Sequence, residues 1–271
     1  MVNIGIRAHD LAGETPEKLK EILESLNVGC IQLALRKSFK NIAWTDCTFS
    51  PGLASAIRKE LGDIRIAVLG SYIDLAAQEE DWEKAKTTFL QNMYFAKVLN
   101  AGMVGTETGI RRCEYTEETY QRVYSHLKEL TRIAKKLGVF IGVEGVALHP
   151  IATPGLMKRL LDEINSPNLL VIFDPVNYIT PENFQNQNDM IREAFDLWAD
   201  KMAAIHLKDF VIEDDKVRVV RVGDGLLDVE YLMACIQKYK PGIDILIEGS
   251  SEQNFDKERC VVNDIIKNGR N

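Results

Sequence analysis

The sequence has little that would staple, anchor or link a protein. Its five cysteines, Cys30, Cys47, Cys113, Cys235 and Cys260, are odd in number and show no CxxC spacing. Cys30 and Cys235 fall in apolar segments, so reduced and mostly packed thiols are expected, as in the cytosol. No run approaches the roughly 18 apolar residues of a membrane span. Met1 leads into VNIGIRA without the basic start of a secretory leader, and a soluble cytoplasmic protein with no membrane partner is expected. Dense Lys/Arg clusters are missing and the formal net charge is −7, which argues against a nucleic-acid partner needing a basic stripe. Histidine is scarce: His9, His126, His149 and His206 are all there is. No Pro/Gly/Ser-rich linker divides the 271 residues, so residues 1–271 are read as one domain of barrel size. Such a chain buries a large core without disulfides.

What is present is alternation. Apolar, β-rich runs occur at 2–8, 29–35, 64–70, 101–107, 138–144, 168–174, 202–208 and 243–249. Most are continuously apolar, as parallel strands covered on both faces must be. Between them lie amphipathic segments at 15–26, 50–61, 81–99, 116–137, 153–165, 188–200, 228–239 and 252–268. Thr15-Pro16 and Ser50-Pro51 are start signals, a capping side chain followed by proline in the first turn. In 116–137, Tyr120, Val123, Tyr124, Leu127, Leu130 and Ile133 recur at helical spacing. Eight strands and eight helices in strict alternation predict a single-domain α/β protein, a (β/α)8 TIM barrel. One connection departs from this rhythm. After His206 the text LKDFVIEDDKVRVVRVGDG is alternating and turn-rich, which predicts a small β excursion over the barrel mouth.

The last four strands each end in a group able to bind a metal: Glu144, Asp174, His206 and Glu248. A carboxylate closing an apolar strand costs several kcal/mol if buried unpaired. Four such groups on consecutive strands, all at one end, are hard to neutralise without a cation. Neighbouring strands lie about 4.8 Å apart, so side chains from four of them can meet at one point. Three carboxylates and an imidazole suit one divalent ion, Mn2+ first, then Co2+ or Zn2+, with Mg2+ less suited. The competing reading is a ring of ion pairs with Lys208 and the arginines.

The runs VEGV, VIFDPVNY, HLKDF, VGDG and IEGS, in this order over almost the whole chain, resemble the xylose isomerase-like barrels of sugar phosphate isomerases and epimerases. The resemblance implies an enzyme acting on a small-molecule carbohydrate. In the ketose 3-epimerase members, the glutamates on strands 5 and 8 both bind the metal and exchange protons with opposite faces of the substrate. By that resemblance Glu144 and Glu248 are the catalytic acid/base pair, with Asp174 and His206 completing the metal site. The chemistry suits these types. Taking a proton from the carbon beside a carbonyl needs a base, an electrophile to hold the enediolate, and an acid to return the proton. The expected substrate is a small sugar, sugar phosphate or polyol-derived ketone. The main alternative is a lyase on the same site, of the keto-inositol or dehydroshikimate dehydratase type.

This chain departs from the family in places. Epimerases commonly carry Asp-x-x-His on strand 6, whereas here Asp174 is followed by Asn177, which can hydrogen-bond a hydroxyl but cannot titrate. Only Asp209 offers a ligand for the second metal of hydride-shifting isomerases. Four histidines, His126 among them mid-helix, are too few for the three zinc ions of abasic-site endonucleases. Lys208, Asn177, Glu107 and His9 are read as substrate contacts. His149 is a turn or lid residue, Gly223-Asp224-Gly225 is a turn, and the tryptophans are packing groups, with Trp44 a candidate pocket wall. A homo-oligomer is left open.

Overall fold

The computed structural model describes residues 3–109 and 115–268, so Val2 and Cys113 lie outside the described residues. Eight parallel strands close into a barrel: β1 (Asn3–Arg7), β2 (Cys30–Leu33), β3 (Arg65–Gly70), β4 (Met103–Glu107), β5 (Ile141–Glu144), β6 (Leu169–Phe173), β7 (Met202–Leu207) and β10 (Asp244–Ile247). Each neighbours the strand before it, and β10 returns to pair with β1, Ile6 lying opposite Ile247. The strands are shorter than the apolar runs. Asp174 and Glu248 stand just past their strands rather than within them.

Helices cover the outside: α1 (Pro16–Ser25), α3 (Pro51–Leu61), α4 (Glu79–Leu99), α5 (Glu117–Leu137), α6 (Pro154–Ile164), α7 (Gln187–Trp198), α8 (Val229–Tyr239) and α9 (Phe255–Asn268). Their starts follow from local chemistry. Thr15, Ser50 and Thr153 each accept a backbone N–H three residues on, and each is followed by proline. Asn100, Gly138 and Asn165 take the left-handed conformation that ends α4, α5 and α6. One short helix departs from the sequence pattern. Leu35–Ser38 (α2) begins where the run at 29–35 still reads as strand, because a buried first turn is as apolar as a buried strand end.

Inside the barrel, Cys30, Ala67, Val68, Met103, Ile172, Ala204 and Leu246 pack as one cluster. It is a filled core and not a channel. Arg65 and Asp244 pair below it, at the N-terminal ends of β3 and β10. Above it, β8 (Asp209–Glu213) and β9 (Lys216–Val220) form the antiparallel hairpin expected after His206. No described helix is long and apolar enough to cross a membrane.

Candidate metal centre and active site

Three of the four proposed ligands, Glu144, Asp174 and His206, meet at the C-terminal end of the barrel, with Glu248 beside His206. Glu144, Asp174, His206 and Glu248 are all nearly inaccessible, between 0 and 7 % exposed. Ligand atoms of Glu144, Asp174 and His206 lie within 4.8 Å of one another. His206 Nδ1 is 3.3 Å from Glu144 Oε1, 3.2 Å from Glu144 Oε2 and 3.1 Å from Glu248 Oε1. One imidazole proton cannot serve three oxygens at these distances. Adjacent ligands around an ion with bonds of about 2.1 Å, however, stand about 3 Å apart. The residues therefore fit a divalent ion.

Electrostatics points the same way. Burial disfavours the charged imidazole, yet Glu144 and Glu248 outweigh it and push His206 up to about 9. The cluster draws a positive charge to this nitrogen. Burial also works against the charge on Glu248, but His206, Lys208 and Arg7 hold its carboxyl well below the usual range. Asp174 is pushed up by burial, with Lys208 opposing and Glu248 and Glu144 adding to the rise. Its Oδ1 accepts the backbone N–H of Val176 at 2.9 Å and of Asn177 at 3.3 Å, which fixes the side chain in an Asx turn.

Two residues read as substrate contacts tie the acids together. Lys208 Nζ lies 2.7 Å from Asp174 Oδ2, 3.4 Å from Glu248 Oε2 and 2.7 Å from Asn177 Oδ1. With its oxygen facing Lys208, Asn177 turns its amide nitrogen toward Glu144 and donates to Oε1 at 2.6 Å. The next residue, Tyr178, fills the space over Gly145, where a Cβ would lie 2.0 Å from the phenol oxygen. This close approach admits no side chain at position 145.

Glu107 ends β4 beside Glu144 in register. Its carboxyl is pushed up to about 7, by burial first and Glu144 second. His149 Nδ1 lies 3.6 Å from it, which brings that residue into the site from the loop after β5. His9 sits in the turn after β1, edge-on to Tyr72. Burial and the charges of Arg7 and Lys37 hold it down at about 3, so it is a neutral imidazole.

Arg7, Gln32, Lys37 and Tyr72 are additions to the expected site residues. Arg7 binds Asp10 through two nitrogens at 2.9 Å and reaches Glu248 at 3.2 Å. Gln32 donates to the Tyr72 hydroxyl at 2.8 Å, and Lys37 sits 3.7 Å over the Tyr72 ring. A charged or amide group at the end of an apolar strand is the signal in the sequence for Arg7 and Gln32.

Other candidates fall elsewhere. Asp209 accepts four backbone N–H groups, from Phe210, Gly223, Gly225 and Leu227 at 2.8–3.1 Å, so it clamps the loop after β9 and is no free ligand. Trp44 donates to Phe39 O at 2.9 Å and packs on Phe49. Trp82 stacks on His126, and Trp198 is buried against Phe173.

No curated protein matches the sequence. Among solved structures, the D-tagatose 3-epimerase-like protein superposes with a TM-score of 0.78 at 16% identity, covering 98% of this chain and 97% of that one. The IolI protein with a bound zinc atom gives 0.77 at 15% identity, covering 98% of both chains. The 3-keto-D-glucoside 4-epimerase YcjR from E. coli gives 0.73 at 11% identity, covering 97% of this chain and 100% of that one. At such identities the likeness is one of fold. A family model described as Xylose isomerase-like TIM barrel matches residues 20–265, and the chain belongs to that family.

Proposed function

We propose that the chain is a metal-dependent isomerase or epimerase of a small sugar, sugar phosphate or polyol-derived ketone, working by proton abstraction next to a carbonyl. The observation that carries this reading is the convergence of Glu144 and Glu248 on His206 Nδ1, within 3.3 Å, with Asp174 beside them. Family membership and the fold shared with a D-tagatose 3-epimerase-like protein and a 3-keto-D-glucoside 4-epimerase support it. A divalent ion held by Glu144, Asp174, His206 and Glu248, Mn2+ first among the candidates, would polarise the substrate oxygens.

The protein's own groups divide the remaining work. Arg7, Lys208 and His206 keep Glu248 ionised, so it is ready to accept a proton. The same cations make it a weak base, and the substrate carbon must be acidified to match. Glu144 accepts from the Asn177 amide and lies beside the His206 imidazole, and it is the partner carboxylate for the opposite face. Buried side chains exclude water and strengthen each of these interactions.

One observation favours a second reading. Glu107 places a carboxyl that titrates near neutrality, at about 7, beside Glu144. If the substrate carries a hydroxyl one carbon beyond the abstracted proton, Glu107 can protonate it as it leaves, giving a lyase.

The test is NMR of the Mn2+-loaded protein in D2O with a panel of ketoses and inososes. Deuterium on the carbon next to the carbonyl is expected, and loss of water would identify the lyase. Clean retention of the original hydrogen, together with two ions per chain, overturns proton abstraction in favour of hydride shift.

A further inference from the structure

Lys208 is not an obvious companion for a metal ion. It stands two residues past His206, at the end of β7, with its ammonium in contact with two of the four proposed ligands, Asp174 and Glu248. It is almost fully buried, with 11% of its side chain exposed, and its third partner is the Asn177 amide oxygen. Burial opposes its charge, but Asp174, Glu248 and Glu144 hold its pKa above the ordinary lysine value. Carboxylate oxygens at 2.7 Å and 3.4 Å hold the ammonium in its charged form.

Net charge is the deciding quantity. Glu144, Asp174 and Glu248 together bring three negative charges to one buried cluster, and Lys208 returns one positive charge. The remaining two match a single divalent ion, with His206 as a neutral ligand. Arg7 does not change this balance, because Asp10 pairs with it through two nitrogens. Without an ion or Lys208, the three carboxylates would face only His206 and the Arg7 contact to Glu248, an unfavourable burial of charge.

We propose that Lys208 is a resident cation of the ligand cluster, which sustains the ion-free fold and at the same time weakens divalent-ion affinity by repulsion and by sharing Asp174 and Glu248. This rests on the reading of the cluster as a metal site. The two effects have opposite signs, which a substrate-binding or purely structural lysine would not produce. Removing the charge destabilises the ion-free protein and tightens ion binding. Asn177 supplies the control, since it contacts Lys208 and Glu144 but carries no charge.

Titration calorimetry with Mn2+ and thermal unfolding with EDTA, on wild type, Lys208→Met, Lys208→Arg and Asn177→Ala, test this without any substrate. Lys208→Met should lower the ion-free Tm by roughly 10 °C and tighten Mn2+ binding about tenfold or more. Lys208→Arg keeps the charge and should stay within a few-fold of wild type, and Asn177→Ala should not tighten binding. If Lys208→Met unfolds without ion, Mn2+ should restore its fold, and failure to do so overturns the proposal. Unchanged or weaker Mn2+ affinity in a folded Lys208→Met also overturns it. Wild type that binds no Mn2+, Co2+ or Zn2+ overturns the metal site itself and this inference with it.

Discussion

The mouth of the barrel has two halves built on different terms. At the ends of β5, β6, β7 and β10, each charged group is answered by another within the half: Glu144 by Asn177 and His206, Asp174 by Lys208, Glu248 by His206 and Lys208. At the ends of β1 to β4 the groups are mostly neutral or paired close to home. Arg7 is held by Asp10, Gln32 by Tyr72, and Lys37 rests on the Tyr72 ring. Gln32 Oε1 and His9 Nδ1 are buried with no hydrogen-bond partner among the described residues, as is His206 Nε2 in the other half. Buried polar atoms are rarely left so. A half dense in carboxylates is suited to hold an ion, and a half of mostly neutral hydrogen-bonding groups is suited to receive hydroxyls.

The contrast is broken most directly at the acids. Glu144→Gln and Glu248→Gln keep an oxygen ligand but lose the proton carrier, so turnover should fall by about 10²–10⁴-fold while some metal remains. His206→Ala and Asp174→Ala should instead lose most of the metal, read by metal analysis of the purified variants. Near-native turnover in either glutamine variant would reduce that residue to a ligand. Full metal occupancy in both alanine variants would move the ion elsewhere.

How far these halves are legible in the sequence differs for a physical reason. Parallel strands are buried on both faces, so the barrel declares itself as apolar runs, and a carboxylate or imidazole closing such a run stands out. That signal marks Glu144, Asp174, His206 and Glu248. It does not say where a long side chain turns. Lys208 and Asn177 look like substrate contacts by position, yet each is within 2.7 Å of cluster groups or of each other. Arg7 reaches Glu248 only because β1 closes the barrel against β10, a pairing between opposite ends of the chain. Asp209 reads as a spare ligand, but the four N–H groups that occupy it come partly from a loop 14 to 18 residues away.

A smaller effect sharpens the ion-binding half. His206 is raised from its ordinary value to about 9, so the folded state holds a proton that the unfolded chain releases near 6.5. That contribution to ion-free stability is complete below about pH 6.5 and is lost as pH rises through about 9. A metal must displace the same proton. Apparent Mn2+ affinity should therefore climb by up to tenfold per pH unit between about pH 6.5 and 8.5. Isothermal titrations at three pH values decide it, and a flat profile would mean that His206 carries no proton for the ion to displace.

The smallest effect belongs to the other half, and its value lies in what should stay constant. Gln32 is 2% exposed, donates to Tyr72, and has its Oε1 without a partner among the described residues. In Gln32→Leu the side chain keeps much of its bulk and loses one neutral hydrogen bond, which contributes about 1 kcal/mol. For a chain of this length that shifts Tm by roughly 2–4 °C. Mn2+ affinity should be unchanged, because Gln32 touches none of the four ligands. If Oε1 accepts a substrate hydroxyl, KM should rise about tenfold while kcat stays within a few-fold, the signature of binding lost equally from ground and transition states. A fall in kcat at constant KM would place Gln32 with the chemistry instead. An unchanged KM would leave the β1–β4 half as a wall.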